Sequence, residues 1–233
     1  MQLQPAIPDS LVEALREAPE IVVLTGAGVS AESGIQTFRD AMEGLWAKFD
    51  PSQLATPEAF ARDPETVARW YDSRREKCGA AKPNPAHLAL ARLEKHFAEQ
   101  RRGFTLLTQN VDRLHQAAGS MDVIEQHGSL WVWRCVDCGQ EAEERGPAFT
   151  TYPPRCSCGG LKRPGVVWFG EILPEQAFLQ AQKAVETCDL FMSLGTSSLV
   201  NPAARLIDLA TGHGARVLEV NPLEAPIDRK SVV

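Results

Sequence analysis

Ile21-Val-Val-Leu-Thr-Gly-Ala-Gly-Val-Ser30 decides how this chain is built. Four apolar residues, three of them β-branched, read as a short buried strand. The chain then turns sharply at Gly26, and Gly26-Ala27-Gly28-Val29-Ser30-Ala31 has the G-x-G-x-x-(G/A) spacing. In that spacing glycines let backbone N–H groups approach a pyrophosphate closely. Ser30 can cap the helix that follows, whose positive end also favours an anion. A tight turn made for packing alone has the same residues, so the motif by itself leaves both readings open. The ribose-binding acid of the hydride-transfer fingerprint, expected about twenty residues on, has no counterpart, because Gln36 to Trp46 lacks strand character. The stretch points to a dinucleotide without ordinary hydride chemistry.

The 233 residues suffice for one sizeable core with an inserted subdomain. Hydrophobic residues make up 44% and charged residues 23%, as in globular proteins generally. A balance of 24 basic against 30 acidic side chains gives a net charge of −6 without a long basic run. That argues against a nucleic-acid surface, though not against a small cationic substrate. No stretch reaches the roughly 18 apolar residues of a membrane span. Met1-Gln-Leu-Gln-Pro5 lacks the basic and apolar regions of a signal peptide, so a cytoplasmic protein is expected.

Of the six cysteines, Cys135, Cys138, Cys156 and Cys158 crowd into two close pairs. Without an export signal, that spacing predicts metal rather than disulfides. Cys135-Val-Asp-Cys138 and Cys156-Ser-Cys158 flank a polar stretch containing Pro147, Pro153 and Pro154. Four thiolates in two tight knuckles predict one closed, structural zinc site. The second knuckle, C-x-C, is one residue shorter than the usual form. Cys78 and Cys188 read as ordinary thiols.

Along the chain, residues 8–18 carry the stripe of a short amphipathic helix. Gln36 to Asp50 reads as a long irregular loop, suited to a lid beside a phosphate-binding turn. Thr56-Pro57, Asp63-Pro64 and Asn84-Pro85 each announce a helix by a cap followed by proline. In the second of these, Tyr71 and Arg74 are one turn apart and so adjacent on the helix surface. From spacing alone they fit a core-edge tyrosine beside a solvated arginine as well as a site. His87 and His96 read as exposed or satisfied polar residues. Phe104 to Thr108 predicts a strand ending at Gln109-Asn110-Val111-Asp112, where open α/β sheets place their ligands. A helix over 112–118 and a strand ending at His127 follow. Strand character returns at Pro164-Gly-Val-Val-Trp-Phe-Gly170, and the strand Leu190 to Leu194 ends in a second small-residue turn, Gly195-Thr-Ser-Ser198. The last clear strand, Arg216 to Val220, ends at Asn221. Strands and helices alternate, which predicts an α/β fold with a doubly wound parallel sheet. Its Rossmann-like domain is expected in three parts (1–35, 84–130 and 165–233). Two excursions interrupt it, a cofactor loop with a helical module (36–83) and a zinc ribbon (131–164).

Taken together these segments resemble the sirtuins, NAD-dependent protein-lysine deacylases. The resemblance rests on Gly-Ala-Gly-Val-Ser-Ala-Glu-Ser-Gly-Ile at 26–35, Thr-Phe-Arg at 37–39 and Gln-Asn-Val-Asp at 109–112. It continues through His127-Gly128, the four cysteines, Val-Val-Trp-Phe-Gly-Glu at 166–171, Gly-Thr-Ser at 195–197 and Asn221. Thr37 stands where deacetylase-type members usually carry Asp, and Tyr71-x-x-Arg74 matches the class III, desuccinylase-type branch. The resemblance implies that NAD lies across the sheet edge, its pyrophosphate against Gly26, Ala27, Gly28, Ser30 and Glu32, with Gly195, Thr196 and Ser197 contributing from the other half. Phe38, Arg39 and Trp46 would belong to the cofactor loop. Gln109, Asn110 and Val111 would hold the nicotinamide ribose, and Asp112 the carboxamide. Asn221, Pro222 and Leu223 would meet the adenosine. Sirtuin chains usually continue with a further strand and helix that help cover the adenine, whereas this sequence ends at Arg229-Lys-Ser-Val-Val233.

The same resemblance makes His127 the general base on a ribose hydroxyl, assisted by Asn110. The acyl-lysine peptide would pair as an added strand with Val166, Trp168 and Phe169, and Tyr71 and Arg74 would receive an acidic acyl group. The implied products are nicotinamide, free lysine and O-acyl-ADP-ribose. The expected partners are acyl-lysine proteins, with no nucleic acid and no membrane, and the expected state is a monomer. Two rivals share the NAD site: a mono-ADP-ribosyltransferase, and a non-catalytic NAD or ADP-ribose sensor. Binding alone needs no base, so His127 together with Asn110 favours an enzyme.

Overall fold

The computed structural model describes residues 9–35, 50, 54–196 and 203–221. Its centre is β1 (Glu20–Thr25), which pairs in parallel with β2 (Gly103–Thr108) on one side and β7 (Leu190–Leu194) on the other. Adding β3 (Val123–Glu125) and β8 (Arg216–Val220) gives one parallel sheet in the order β3-β2-β1-β7-β8. A central parallel strand is covered on both faces, and so it reads as an unbroken apolar run rather than an alternation. Its side chains still divide by parity. Ile21 and Val23 pack with α1 (Asp9–Glu17) and α5 (Pro85–Glu99), beside Ala14, Leu90 and Phe97. Val22 and Leu24 face α7 (Glu175–Thr187) and α8 (Ala203–Gly212), beside Val185, Leu206 and Ile207.

The chain leaves β1 toward β2, while β7 lies on the opposite side. The loops after β1 and β7 therefore sit at the topological switch point, where open α/β sheets form their ligand crevice. The first of these loops carries the short α2 (Gly28–Ala31).

Two excursions build a separate core beside that crevice. In the first, α3 (Pro57–Arg62) and α4 (Pro64–Ala80) start where their caps predict. Thr56 Oγ1 accepts from the Ala59 N–H at 3.1 Å, and Asp63 Oδ1 from the Thr66 N–H at 3.0 Å. The second is an antiparallel sheet, ordered β5-β4-β6, of β4 (Gly128–Cys135), β5 (Glu141–Glu143) and β6 (Lys162–Val166). Phe60, Val67, Trp70 and Tyr71 of the helices pack against Leu130, Trp133, Val166 and Trp168 of the ribbon side.

Three elements differ from the sequence expectation. The helix over 112–118 shrinks to α6 (Leu114–Ala117), because Asp112 Oδ1 accepts the Leu114 N–H at 2.9 Å and Arg113 turns left-handed (φ 59). The strand before His127 stops at Glu125, and His127 occupies the turn that passes the chain from one sheet to the other. The strand expected over 164–170 is instead β6, which pairs with β4 and not with the parallel sheet. Pro164 is tolerated there because β6 is an edge strand. No helix among the described residues is long and apolar enough to cross a membrane.

Candidate active site

At the end of β1 the glycines answer first to the neighbouring loop. A Cβ on Gly26 would stand 2.7 Å from Thr196 Cα, and one on Gly28 would stand 2.8 Å from the Gly195 carbonyl oxygen. The Gly26 N–H donates to the Leu194 carbonyl at 3.0 Å and the Gly28 N–H to the Gly195 carbonyl at 2.8 Å. The two loops of the switch point are thus locked together by residues that have no side chain to keep them apart.

A buried polar network extends from this lock. Ser30 Oγ donates to Asp112 Oδ2 at 2.7 Å and accepts from Asn110 Nδ2 at 3.1 Å. Asn110 Nδ2 also donates to the Gly26 carbonyl at 3.0 Å. Gln109 Nε2 reaches Thr196 Oγ1 at 2.9 Å, and Asn221 Nδ2 reaches the Thr196 carbonyl at 2.6 Å. Behind it, His87 Nε2 lies 3.4 Å from Ser30 Oγ, and the His87 and His115 rings pack 4.8 Å apart. His115 Nε2 meets Thr25 Oγ1 at 2.9 Å. Gln109, Asn110, Asp112, Thr196 and Asn221 are thereby gathered from three strand ends into one rim.

His127 joins this rim through its backbone-facing nitrogen. Its Nδ1 lies 3.1 Å from the Gln109 carbonyl oxygen, a pure acceptor, so the proton sits on Nδ1 and the Nε2 lone pair is available. Burial lowers the imidazole pKa, against a smaller rise from the Gln109 carbonyl, and keeps the ring neutral at pH 7.

Beside the rim, Val111 packs on the core that α4 shares with the ribbon. Tyr71 is buried, with its ring 4.5 Å from that of Trp70 and 6.1 Å from that of Trp168. Arg74, half-buried, lies over the Trp70 ring at 5.2 Å. Burial raises the Tyr71 phenol pKa, with the Arg74 charge opposing, so Tyr71 stays a neutral hydroxyl donor. One turn beyond Arg74, Cys78 is pushed up to about 12 by burial and then by the Asp112 charge, with Arg74 pulling it back.

At the far end of the ribbon the four cysteines converge, with Cys135 Sγ 3.5 Å from Cys158 Sγ and Cys138 Sγ 3.8 Å from Cys156 Sγ. All four sulfurs lie within 4.8 Å of one another. A tetrahedron of thiolates about 2.3 Å from zinc has edges of about 3.8 Å. The shortened second knuckle therefore does not prevent a four-sulfur zinc site.

The Sir2 family profile matches residues 26–202. The chain belongs to the Sir2 family. It is 52% identical over 221 residues to NAD-dependent protein deacylase 1 of Pseudomonas aeruginosa, a match covering 91% of this chain and 87% of that protein. It is also 52% identical over 210 residues to the NAD-dependent protein deacylase of Aquifex aeolicus, covering 90% and 86%. A solved Sir2 homologue in complex with NAD is similar with a TM-score of 0.88 and 46% identity, over 95% of this chain and 85% of that one.

In this Sir2 chain several side chains stand otherwise than their motif suggests. The Gly26 and Gly28 N–H groups are spent on the β7 loop, and those of Val29 and Ser30 on Gly26 and Ala27. What the turn leaves at its surface is then the half-buried Ala27 and the exposed Gly28. Ser30 points its hydroxyl inward to Asp112, and Glu32 is exposed at the end of α2. Val111 packs on the ribbon core and offers its carbonyl to Leu130. Along the expected peptide strand, the N–H groups of Val167, Trp168 and Phe169 already donate to His127, Glu171 and Ala55. A peptide added there must itself donate. Phe38, Arg39, Trp46, Ser197, Pro222 and Leu223 lie outside the described residues.

The sequence reading left out His87, His115 and Cys78 as neighbours of the site. Their only signal was an uncommon one, a polar residue on the apolar face of a helix. His87 is buried and completes a capping box with Asn84, whereas His96 is exposed.

Proposed function

We propose that this Sir2 chain removes acyl groups from protein lysines at the expense of NAD, and that it favours acyl groups ending in a carboxylate. The observation that carries the reading is His127, held as the Nδ1–H tautomer by the Gln109 carbonyl at the edge of the rim. A neutral imidazole with a free Nε2 is a general base, and a module that only bound nucleotide would need none. The rim fits a dinucleotide. Both Asn110 amide protons are committed to Gly26 and Ser30, which leaves its Oδ1 to accept from a ribose hydroxyl. Gln109, Thr196 and Asn221 carry the contact across the switch point. Bound NAD supplies an electrophilic ribose carbon once nicotinamide departs. His127 Nε2 would take a proton from a ribose hydroxyl, whose oxygen then bonds to the acyl carbon as the bond from that carbon to the lysine nitrogen breaks, with water consumed in releasing lysine.

The acyl preference rests on Tyr71 and Arg74. A succinyl or malonyl carboxylate is costly to bury without a partner. A guanidinium fork and a neutral phenol meet it with charge and hydrogen bonds. An acetyl group has nothing for them to hold. Zinc on the four cysteines would hold the ribbon in shape, away from the reacting groups. Cysteines gathered as metal ligands rather than paired as disulfides suit a reducing compartment such as the cytoplasm.

The test is a panel of acetyl-, malonyl-, succinyl- and glutaryl-lysine peptides incubated with NAD and the purified chain. The expected result is O-acyl-ADP-ribose by mass spectrometry, with the acidic acyl groups turned over faster than acetyl. ADP-ribose transferred to protein without any O-acyl product would instead support the transferase.

A further inference from the structure

Three successive residues of the loop after β2 are held from the ribbon. The Leu130 N–H donates to the Val111 carbonyl at 3.0 Å, and the Trp131 indole Nε1–H donates to the Asp112 carbonyl at 3.1 Å. Arg113 Nη1 donates to Glu143 Oε1 at 2.5 Å. Leu130 and Trp131 lie on β4 and Glu143 on β5. Glu125, at the end of β3, accepts from Arg113 Nε at 3.0 Å and from Nη2 at 3.3 Å. The guanidinium thus bridges the parallel sheet to the ribbon.

Arg113 adopts φ 59 and ψ 25, the left-handed region where a long side chain is uncommon. Such a conformation persists only where the surroundings over-determine it. Here the Leu130 N–H and the Trp131 indole N–H hold the peptides on either side of Asp112, and the two carboxylates hold the Arg113 side chain. That is the segment whose carboxylate accepts from Ser30 Oγ and the Leu114 N–H.

We propose that Trp131 and Arg113 are positioning residues, through which the ribbon sets where the Asp112 carboxylate stands in the NAD site. The proposal rests on the deacylase reading. Both residues act through the Asp112 backbone, so their loss moves the response to NAD and leaves the response to acyl peptide alone.

The test uses Trp131→Phe, which keeps a ring but removes the donor, and Arg113→Gly, which removes the clamp and suits the left-handed backbone. Steady-state kinetics, NAD affinity by calorimetry and thermal unfolding are measured on the full chain. The expected result is a rise in KM and Kd for NAD of roughly three- to tenfold in each, the weight of about one net hydrogen bond. The KM for acyl peptide stays constant, the Tm of Arg113→Gly stays near wild type, and Arg113→Lys recovers part of the loss. Unchanged NAD parameters in both variants overturn the proposal. So does a parallel rise in both KM values with a falling Tm, which is a folding defect. If the wild type binds NAD but forms no O-acyl-ADP-ribose, the deacylase reading fails alone, and the calorimetric affinities still decide the positioning.

Discussion

Arg75 Nη2 lies 2.6 Å from Asp72 Oδ1, one turn back on α4, and both side chains are almost wholly excluded from solvent. The guanidinium also donates to the carbonyls of Glu144, Gly146 and Pro147, while Asp72 Oδ2 accepts from the Phe149 N–H and the Tyr152 hydroxyl. A single ion pair thereby docks the ribbon's loop onto the helical module. Removing one partner leaves the other charge buried and unpaired, at about 3–5 kcal/mol. Arg75→Met should lower the urea-unfolding free energy by that order. A change near zero would mean that the pair adds nothing beyond packing.

His127 gives a pH limb with a definite sign. Its pKa is lowered by burial, and the neutral form is the active one. Activity should therefore persist below the ordinary imidazole value of about 6.5 and be lost as pH falls further. The limb is read from kcat/KM against pH. His127→Tyr should lose about 10²–10⁴-fold in turnover while NAD still binds in calorimetry. A variant with near wild-type turnover would remove His127 from the mechanism.

His115 ties folding to acid. Burial, and then the neighbouring His87, bring its pKa from 6.5 down to about 3. In the unfolded chain the ring takes up its proton near the ordinary value, whereas in the folded chain it does not. Protons therefore favour unfolding, and stability present above 6.5 is lost as pH falls from there toward about 3. Denaturant curves should show this slope in the wild type and a flatter one in His115→Gln, whatever that variant costs at pH 7. An equal slope in both proteins would place the acid sensitivity elsewhere.

The proposed acyl preference can be tested at Arg74. Arg74→Met should lower kcat/KM for succinyl-lysine peptide by at least about 2 kcal/mol, the cost of leaving a buried charge unpaired. Acetyl-lysine peptide should lose far less. Equal losses would make Arg74 a structural residue and the chain a plain deacetylase.

The ribbon should depend on its metal. Elemental analysis should find one zinc per chain, and Cys135→Ala or prolonged chelation should lower the Tm, because metal binding at such a site is coupled to folding. An unchanged Tm on complete zinc removal would show that the ribbon folds without it.

The sequence alone determined the features that depend on near neighbours in the chain. An apolar run ending in glycines marked β1 and its turn, proline after a polar cap marked α3, α4 and α5, and the spacing of four cysteines marked the metal site. Each is a local signal, because propensity, capping and knuckle geometry act within a few residues. Gln109 to Asp112 stood out as polar residues at the end of a strand, whereas the role of His127 came only from the family resemblance.

Only the tertiary structure decided where those residues point. Val166 and Gly128 look like parts of the α/β alternation, yet they pair with each other in the antiparallel sheet. Ser30 faces Asp112, a residue 82 positions away, and the Gly26 and Gly28 N–H groups face the β7 loop. Asp72 and Arg75, three residues apart on α4, are covered by residues 144–152, which lie some seventy positions further on. A side chain's partner and its burial are set by segments that meet only after the chain has folded. Local propensity carries no information about that meeting, which follows from burying both faces of β1 and one face of each excursion.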